Sequence, residues 1–483
     1  MRALRYSVRP LPVLKYFGQL CIVLASFTLV PLIVSIIFGS YQISIRYAVI
    51  IAGMLVGGYF LQKLPTPKRL QTNEAMVITA LVFLFTALIM TWPIMGSELK
   101  FIDAFFEAVS AVTTTGLTTT ASVEDKPAIF LFSRAWIQWV GGLGIVILSV
   151  AIMIKPGLAA KRIGDLEDYE DDLVGSTRTH ARRVLIVYSI LTVIGITLLG
   201  LMGTGWFNSM LYTFSAVSTA GFSPHNDSLA GLGNYWRPAI VILISIAGAI
   251  PLVLYFKSVK KGWRVILHDR QVKCFFAVGL LAVLLTSWFL FSQNGFAWNQ
   301  ALYHGAINAL SAQSTAGFSS LDISQIGDGS KLTLILSMFL GGTAGSTAGS
   351  IKILRFLILL QVIYILIQRA GATKQAVVEP GLGKHRLGPE EIQNALSIIF
   401  IFLLTIAASW LIFVGMGYNP FDSLFEIVSA IGTVGLSAGI SAPDLHPVLK
   451  GVLCADMLLG RLEILAWLVL FNLGTWIGRR LEE

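Results

Sequence analysis

Four threonines stand two residues ahead of four glycines: Thr114 and Gly116, Thr219 and Gly221, Thr315 and Gly317, Thr433 and Gly435. The phrases that hold them, SAVTTTGLT, SAVSTAGFS, SAQSTAGFS and SAIGTVGLS, align without a gap. Each opens on a serine (Ser110, Ser215, Ser311, Ser429) and closes on Thr118, Ser223, Ser319 or Ser437. Such residues suit one kind of chemistry. A dehydrated monovalent cation needs a ring of oxygen dipoles in place of its water, and backbone carbonyls around an axis supply them. Glycine lets the chain take φ > 0 and turn carbonyls toward that axis without a Cβ penalty. The threonine and the closing Ser or Thr add hydroxyl oxygens or anchor the turn. No acidic residue occurs within the four phrases, which argues against a carboxylate ring of the divalent-cation type. A single copy would read as a Gly turn after a buried helix, since small residues at helix contacts are ordinary in membranes. Four gapless copies favour a shared ring.

The elements that must position these phrases are apolar. The chain has 483 residues, 55% hydrophobic and 13% charged, with a mean hydropathy of +0.77. Soluble domains carry about 25% charged residues, so this composition belongs to a membrane protein. Ten segments are apolar over a length suited to crossing as a helix: 16–38, 45–62, 73–94, 128–154, 183–204, 236–256, 274–292, 331–368, 391–414 and 447–477. The first is too long for a signal-peptide core and lacks a cleavage site, so it reads as a retained helix. Four shorter segments, 101–113, 206–217, 302–313 and 421–431, lead into the four phrases and suit re-entrant helices.

Charge sets the expected orientation. The surplus of +9 reads as basic loops on the inner side rather than as a nucleic-acid surface. Basic clusters fall in the N-terminal arm (Arg2, Arg5, Arg9, Lys15), in 63–71, 155–183, 257–273 and 369–388, and at Arg479-Arg480. All lie on one side if each span crosses once and each short segment dips and returns, which puts both termini in the cytoplasm. The three cysteines (Cys21, Cys274, Cys454) and six histidines are scattered, without disulfide or metal-ligand spacing. No His, Asp, Ser or Cys constellation suggests an enzyme. An alternating-access carrier would break helices in inverted halves, whereas these repeats are fourfold and the same way up.

The predicted fold is an all-α integral membrane protein. It has ten transmembrane helices, with four helix–re-entrant pore loop–helix repeats around a central pseudo-fourfold pore. The expected units are a two-helix extension at 1–70 and repeats at 71–160, 178–262, 263–372 and 385–483. Non-helical backbone at membrane depth persists only when buried in protein or lining a water-filled cavity.

A second polar stretch interrupts the third repeat: GGTAGSTAGSIK, Gly341 to Lys352. Its glycines Gly341, Gly342, Gly345 and Gly349, with Ser346 between, predict an unwound loop, since each Gly costs about 1 kcal/mol against Ala in a helix. Arg461, 26 residues after Gly435, falls at the same depth as that loop, which lies 24–32 residues after Gly317. A charge within a span is costly and usually functional. One reading has Arg461 donating hydrogen bonds to the loop's carbonyls and holding it across the pore. The other is a tight Gly-rich crossing with Arg461 snorkelling or paired to Glu463 or Asp456. The run is no phosphate loop, for it lacks GxxxxGK[ST] and a preceding strand.

With four filter-glycine repeats, two extra N-terminal helices and SRAWIQWVGGLGIVIL (Ser133–Leu148) after the first filter, the chain resembles the Trk/Ktr/HKT superfamily of potassium transporters. It is similar to the bacterial TrkH/TrkG type in particular. The resemblance implies potassium uptake across the bacterial inner membrane, with K⁺ (and Rb⁺) as the transported ion and no organic cofactor. It places ion-binding carbonyls on Thr114-Thr115-Gly116, Thr219-Ala220-Gly221, Thr315-Ala316-Gly317 and Thr433-Val434-Gly435. It also implies a gate formed by the Gly341–Lys352 loop and Arg461. Sodium-selective plant relatives often carry serine at the first filter glycine; Gly116 stands here, which favours potassium. A sodium or unselective K⁺/Na⁺ pathway is the alternative, because Thr-x-Gly is shorter than TVGYG. Implied partners are membrane lipid, a second copy of the chain in a homodimer, and a TrkA-like ring of cytosolic nucleotide-binding subunits. The acidic stretch 165–172 (DLEDYEDD) reads as a solvated loop or as help in docking that ring.

Overall fold

The computed structural model describes residues 7–65, 70–153, 173–371, 381–382, 385–462 and 464–477. Arg2, Arg5, Lys68, Arg69, Lys155, Lys161, Arg162, Lys374, Lys384, Glu463, Arg479, Arg480 and the acidic stretch 165–172 lie outside the described residues.

Two helices, α1 (Pro10–Ile37) and α2 (Tyr41–Gln62), form an antiparallel hairpin. They approach closely because small residues face each other: a Cβ on Gly58 would stand 2.7 Å from the carbonyl oxygen of Gly18. Four groups of helices follow. The first is α3 (Thr72–Ile94), α4 (Phe101–Val112) and α5 (Ala128–Met153). The second is α6 (Leu173–Leu201), α7 (Trp206–Val217), α8 (Trp236–Ala249), α9 (Leu252–Lys261) and the short α10 (Arg264–His268). The third is α11 (Arg270–Asn294), α12 (Trp298–Gln313), α13 (Asp328–Phe339) and α14 (Ile353–Gly371). The fourth is α15 (Pro389–Gly415), α16 (Pro420–Ile431), α17 (Pro447–Arg461), α18 (Leu465–Phe471) and α19 (Leu473–Trp476). A two-residue antiparallel pair, Gly381–Leu382 with His385–Arg386, precedes the fourth group.

Among the described residues, seven helices are long and apolar enough to cross a membrane, or eight if the bent pair α8 and α9 is one span. Two expected continuous spans are corrected. The 236–256 segment breaks before Pro251, and α9 leaves α8 at 86°. The cause is local: proline has no N–H and pushes the residue before it out of the helical region, and Ile250 is extended at φ −86, ψ 145. The 447–477 segment ends at Arg461 and resumes at Leu465, with Ile464 at φ +24. The 331–368 segment is divided as the glycine run predicts, between Phe339 and Ile353.

The short helices α4, α7, α12 and α16 occupy the centre. The C-terminal turns of α4, α7 and α16 are buried without a gap, as at Phe106–Val112 on α4 and Phe425–Ile431 on α16, and that of α12 is buried but for Leu310. The start of α16 is set by Asn419, whose side chain accepts from the N–H groups of Phe421 and Asp422, with Pro420 at the first position.

Candidate functional site

Each short helix ends in the same turn. The N–H of Thr115 donates to the Ser110 carbonyl (2.9 Å) and that of Thr114 to Ala111 (3.1 Å). The same pair of bonds closes the other three: Ala220 to Ser215 (2.8 Å) and Thr219 to Ala216 (3.0 Å), Ala316 to Ser311 (2.9 Å) and Thr315 to Ala312 (3.1 Å), Val434 to Ser429 (2.8 Å) and Thr433 to Ala430 (3.0 Å). These are Schellman turns, whose left-handed position normally takes glycine. Here it is threonine four times, at φ +52, +52, +55 and +49. A β-branched residue there costs on the order of 1–3 kcal/mol and persists only where its surroundings over-determine it. The repeated serine helps: Ser110 Oγ and Ser429 Oγ accept from the N–H groups of Gly116 and Gly435, both at 3.0 Å. Ser215 Oγ instead donates to Gln138 Oε1 at 2.8 Å.

The four glycines close the turns into a ring. All have positive φ, from +70 to +99. A Cβ on Gly116 would collide with the carbonyl oxygen of Ala220, on Gly221 with that of Ala316, on Gly317 with that of Val434, and on Gly435 with that of Thr115. Each repeat thus abuts the next, and the fourth abuts the first. The twelve residues named from sequence as carbonyl donors come together around one axis. Carbonyl oxygens ringed in this way can substitute for a cation's water.

Behind the ring sits a set of anchors that sequence reasoning missed. Nine residues before each shared glycine stand Glu107, Tyr212, Asn308 and Glu426. Each reaches the non-helical segment that follows its own glycine. Glu107 accepts from Thr118 Oγ1 (2.5 Å), the Thr119 N–H (3.0 Å) and Thr120 Oγ1 (3.0 Å). The Tyr212 hydroxyl lies 3.0 Å from Ser223 Oγ and 2.8 Å from His225 Nδ1. Asn308 bonds the Ser320 N–H and hydroxyl. Glu426 accepts from Ser437 Oγ and the N–H groups of Ala438 and Ser441. Two of the four are carboxylates, placed just outside the acid-free phrases.

Ion pairs brace this layer. Arg134 Nε lies 2.9 Å from Glu107 Oε2, both groups buried, and its guanidinium lies over the Phe222 ring at 3.7 Å. Lys450 pairs with Asp103 at 2.5 Å and Lys331 with Asp422 at 2.7 Å, so the fourth group is tied to the first and the third to the fourth. Removing one partner of a buried pair leaves an uncompensated charge, at a cost of about 3–5 kcal/mol. Arg134→Leu is therefore expected to unfold in detergent at a clearly lower temperature than the wild type. The double variant Glu107→Gln/Arg134→Leu should recover most of that loss. Equal melting of the single and double variants would mean the pair is not coupled.

The glycine run forms a non-helical loop seated against the ring. Gly349 N–H donates to Thr315 Oγ1 at 2.8 Å, and a Cβ on Gly349 would collide with Thr433 Oγ1 and the Gly432 carbonyl. Thr347 Oγ1 lies 3.3 Å from Thr219 Oγ1, so the loop meets three of the four ring threonines. Gly341 and Gly342 have no room for a Cβ beside Gly349 and Ala348. Ser346 Oγ donates to the Thr343 carbonyl at 2.7 Å, Lys352 Nζ bonds the Ala348 carbonyl, and Gly345 takes φ +79 at the tip. Arg461, 4% exposed, donates from Nη1 to the Thr347 carbonyl at 3.0 Å. Its Nε and Nη2 make no hydrogen bond among the described residues. Asp456 bonds Ser409 instead, at 2.8 Å. Gly460 presses against the Ile431 carbonyl, which fixes α17 on α16 and sets the depth of Arg461.

Apolar helices gathered around a buried ring of backbone turns define a multi-pass membrane protein. The particular family follows from comparison. A family model described as TrkH, cation transport protein, matches residues 39–474, and the chain belongs to that family. It is 28% identical over 463 residues to an uncharacterized cation transporter of Methanocaldococcus jannaschii, covering 95% of this chain and 94% of that one. It is 27% identical to the Trk system potassium uptake protein TrkG of Escherichia coli (92% and 94% covered) and 29% identical to TrkH of the same organism (84% and 87%). The crystal structure of the potassium transporter TrkH from Vibrio parahaemolyticus shares the fold at a TM-score of 0.85 and 22% identity, over 97% of this chain and 99% of that one.

Proposed function

We propose that this chain is the ion-conducting subunit of a potassium uptake system, passing K⁺ and Rb⁺ through the ring of four Thr-x-Gly turns. The single observation that carries this reading is the cyclic contact of the four glycines, each against the carbonyl oxygen before the glycine of the next repeat. Backbone carbonyls so arranged suit a monovalent cation, and relatives over most of its length are named potassium uptake proteins. In this reading ten spans cross the membrane, the four short helices are re-entrant, and the Gly341–Lys352 loop with Arg461 is the gate below the filter. The reading has both termini in the cytoplasm and the protein in a bacterial inner membrane, and the one-sided basic clusters support that orientation. The chain acts as a homodimer on a ring of cytosolic nucleotide-binding subunits.

The test is rubidium uptake into KCl-loaded liposomes with K⁺, Na⁺ or Li⁺ as competitor. Competition by K⁺ but barely by Na⁺ is expected; equal competition would replace the potassium reading with an unselective pathway. A side chain at Gly116 would meet the Ala220 carbonyl, so Gly116→Ser is expected to raise Na⁺ permeation relative to Rb⁺. An unchanged ratio would speak for the unselective filter.

A further inference from the structure

The break in α8 joins the candidate gate to a basic segment that none of the filter chemistry uses. Two residues at the loop tip, Ala344 and Gly345, are gripped by the two ends of one stretch of chain. The Gly345 carbonyl accepts from the N–H of Leu252, first residue of α9, at 3.2 Å. The Ala344 N–H donates to Gln271 Oε1, at the start of α11, at 3.0 Å. The hinge itself is bonded to the loop as well, since Thr343 donates to the Ala249 carbonyl and Thr347 to the Gly248 carbonyl, each through both its N–H and its hydroxyl.

Between those two grips the chain runs KSVKKGWRVILHDR, and every residue from Val259 to Arg264 is exposed. Val265 and Ile266 pack against the core, while Lys260, Lys261 and Arg264 face outward beside Val259, 85% exposed, and Trp263, 66% exposed. Cations interleaved with an exposed Trp and aliphatic side chains, at the end of a helix turned 86° from the apolar α8, are the pattern of a segment lying in the interface. Its charge complements the phosphate of anionic lipid. We infer that residues 252–271 form an anionic-lipid site, and that lipid bound there holds the loop tip in its seated position against the ring. The inference rests on the pore reading for its consequence, because it is flux that the seated loop limits. The shared chemistry is a phosphate monoanion, and the membrane lipid is its source because the apolar side chains need a partner as well as the lysines.

The test places wild type and the K260Q/K261Q/R264Q triple variant in phosphatidylcholine vesicles with or without phosphatidylglycerol. Rubidium flux and, by native mass spectrometry, retained phosphatidylglycerol are measured together. The wild type is expected to keep more phosphatidylglycerol than the variant and to conduct faster without it, by a factor on the order of ten. The triple variant should conduct at the faster rate in both. Flux in the wild type that ignores lipid composition, or equal dependence in the variant, would overturn the coupling. Reproduction of the effect by soluble inorganic phosphate would overturn the lipid assignment. Should neither protein conduct in any vesicle, the pore reading fails on its own, and the lipid count still decides the site: equal retention by both proteins overturns it.

Discussion

Arg461→Gln is expected to raise rubidium flux through the isolated protein about ten- to a hundredfold. The arginine's Nη1 bond to the Thr347 carbonyl is a charge-assisted contact in a buried place. Such bonds contribute about 1.5–3 kcal/mol, and each 1.4 kcal/mol is a factor of about ten in an equilibrium. What is lost favours only the seated loop, so the equilibrium moves toward the displaced one. Glutamine keeps a donor but neither the charge nor the reach. The cation preference should stay unchanged, because no ring residue is altered; that separates gate release from a damaged filter. Flux equal to the wild type would remove Arg461 from gating and leave it a packing role on α17.

The second large effect is a single methyl group. Gly435→Ala is expected to lower K⁺-selective flux by more than about tenfold. At φ +99 the position lies outside the region that L-residues adopt, a strain of about 1–3 kcal/mol. The added Cβ also collides with the Thr115 carbonyl, so the seam between the fourth and first repeats must open. Gly451→Ala is the control. Gly451 lies on the exposed side of α17 with nothing within 4 Å of its Cβ position, and the change improves helix propensity by about 1 kcal/mol. It should melt slightly higher and conduct normally. Equal behaviour of the two variants would mean that the ring tolerates side chains and does not select.

Much of this was legible in the sequence, for physical reasons that can be named. The glycine run of the third repeat announced its own non-helical backbone, because glycine is a poor helix former wherever it sits. The ring residues were legible because four copies share residue types at fixed spacing. The anchors at Glu107, Tyr212, Asn308 and Glu426 were not: the position is Glu in the first and fourth copies but Tyr and Asn in the second and third, so no one residue type marks it in all four. The left-handed threonines ran against local preference, which their tertiary setting overrode. The break at Pro251 was written in the chain as an Ile-Pro step, yet the surrounding hydropathy reads straight through it. Lys331 and Lys450 suggested no role, since their partners lie 91 and 347 residues away along the chain.

That last separation bears on how the protein is made. Three of the ring's seams join consecutive repeats, and the fourth joins the last repeat to the first. During synthesis the carboxylate of Asp103 waits through three further repeats for Lys450, and the Thr115 carbonyl waits as long for Gly435. Contacts of such sequence distance form late, after the loop between them has been ordered. A chain that stops before the fourth repeat therefore carries an unfinished seam at the level of the ring, with a half-buried acid lacking its counter-charge. The ring therefore closes only once the fourth repeat has been made.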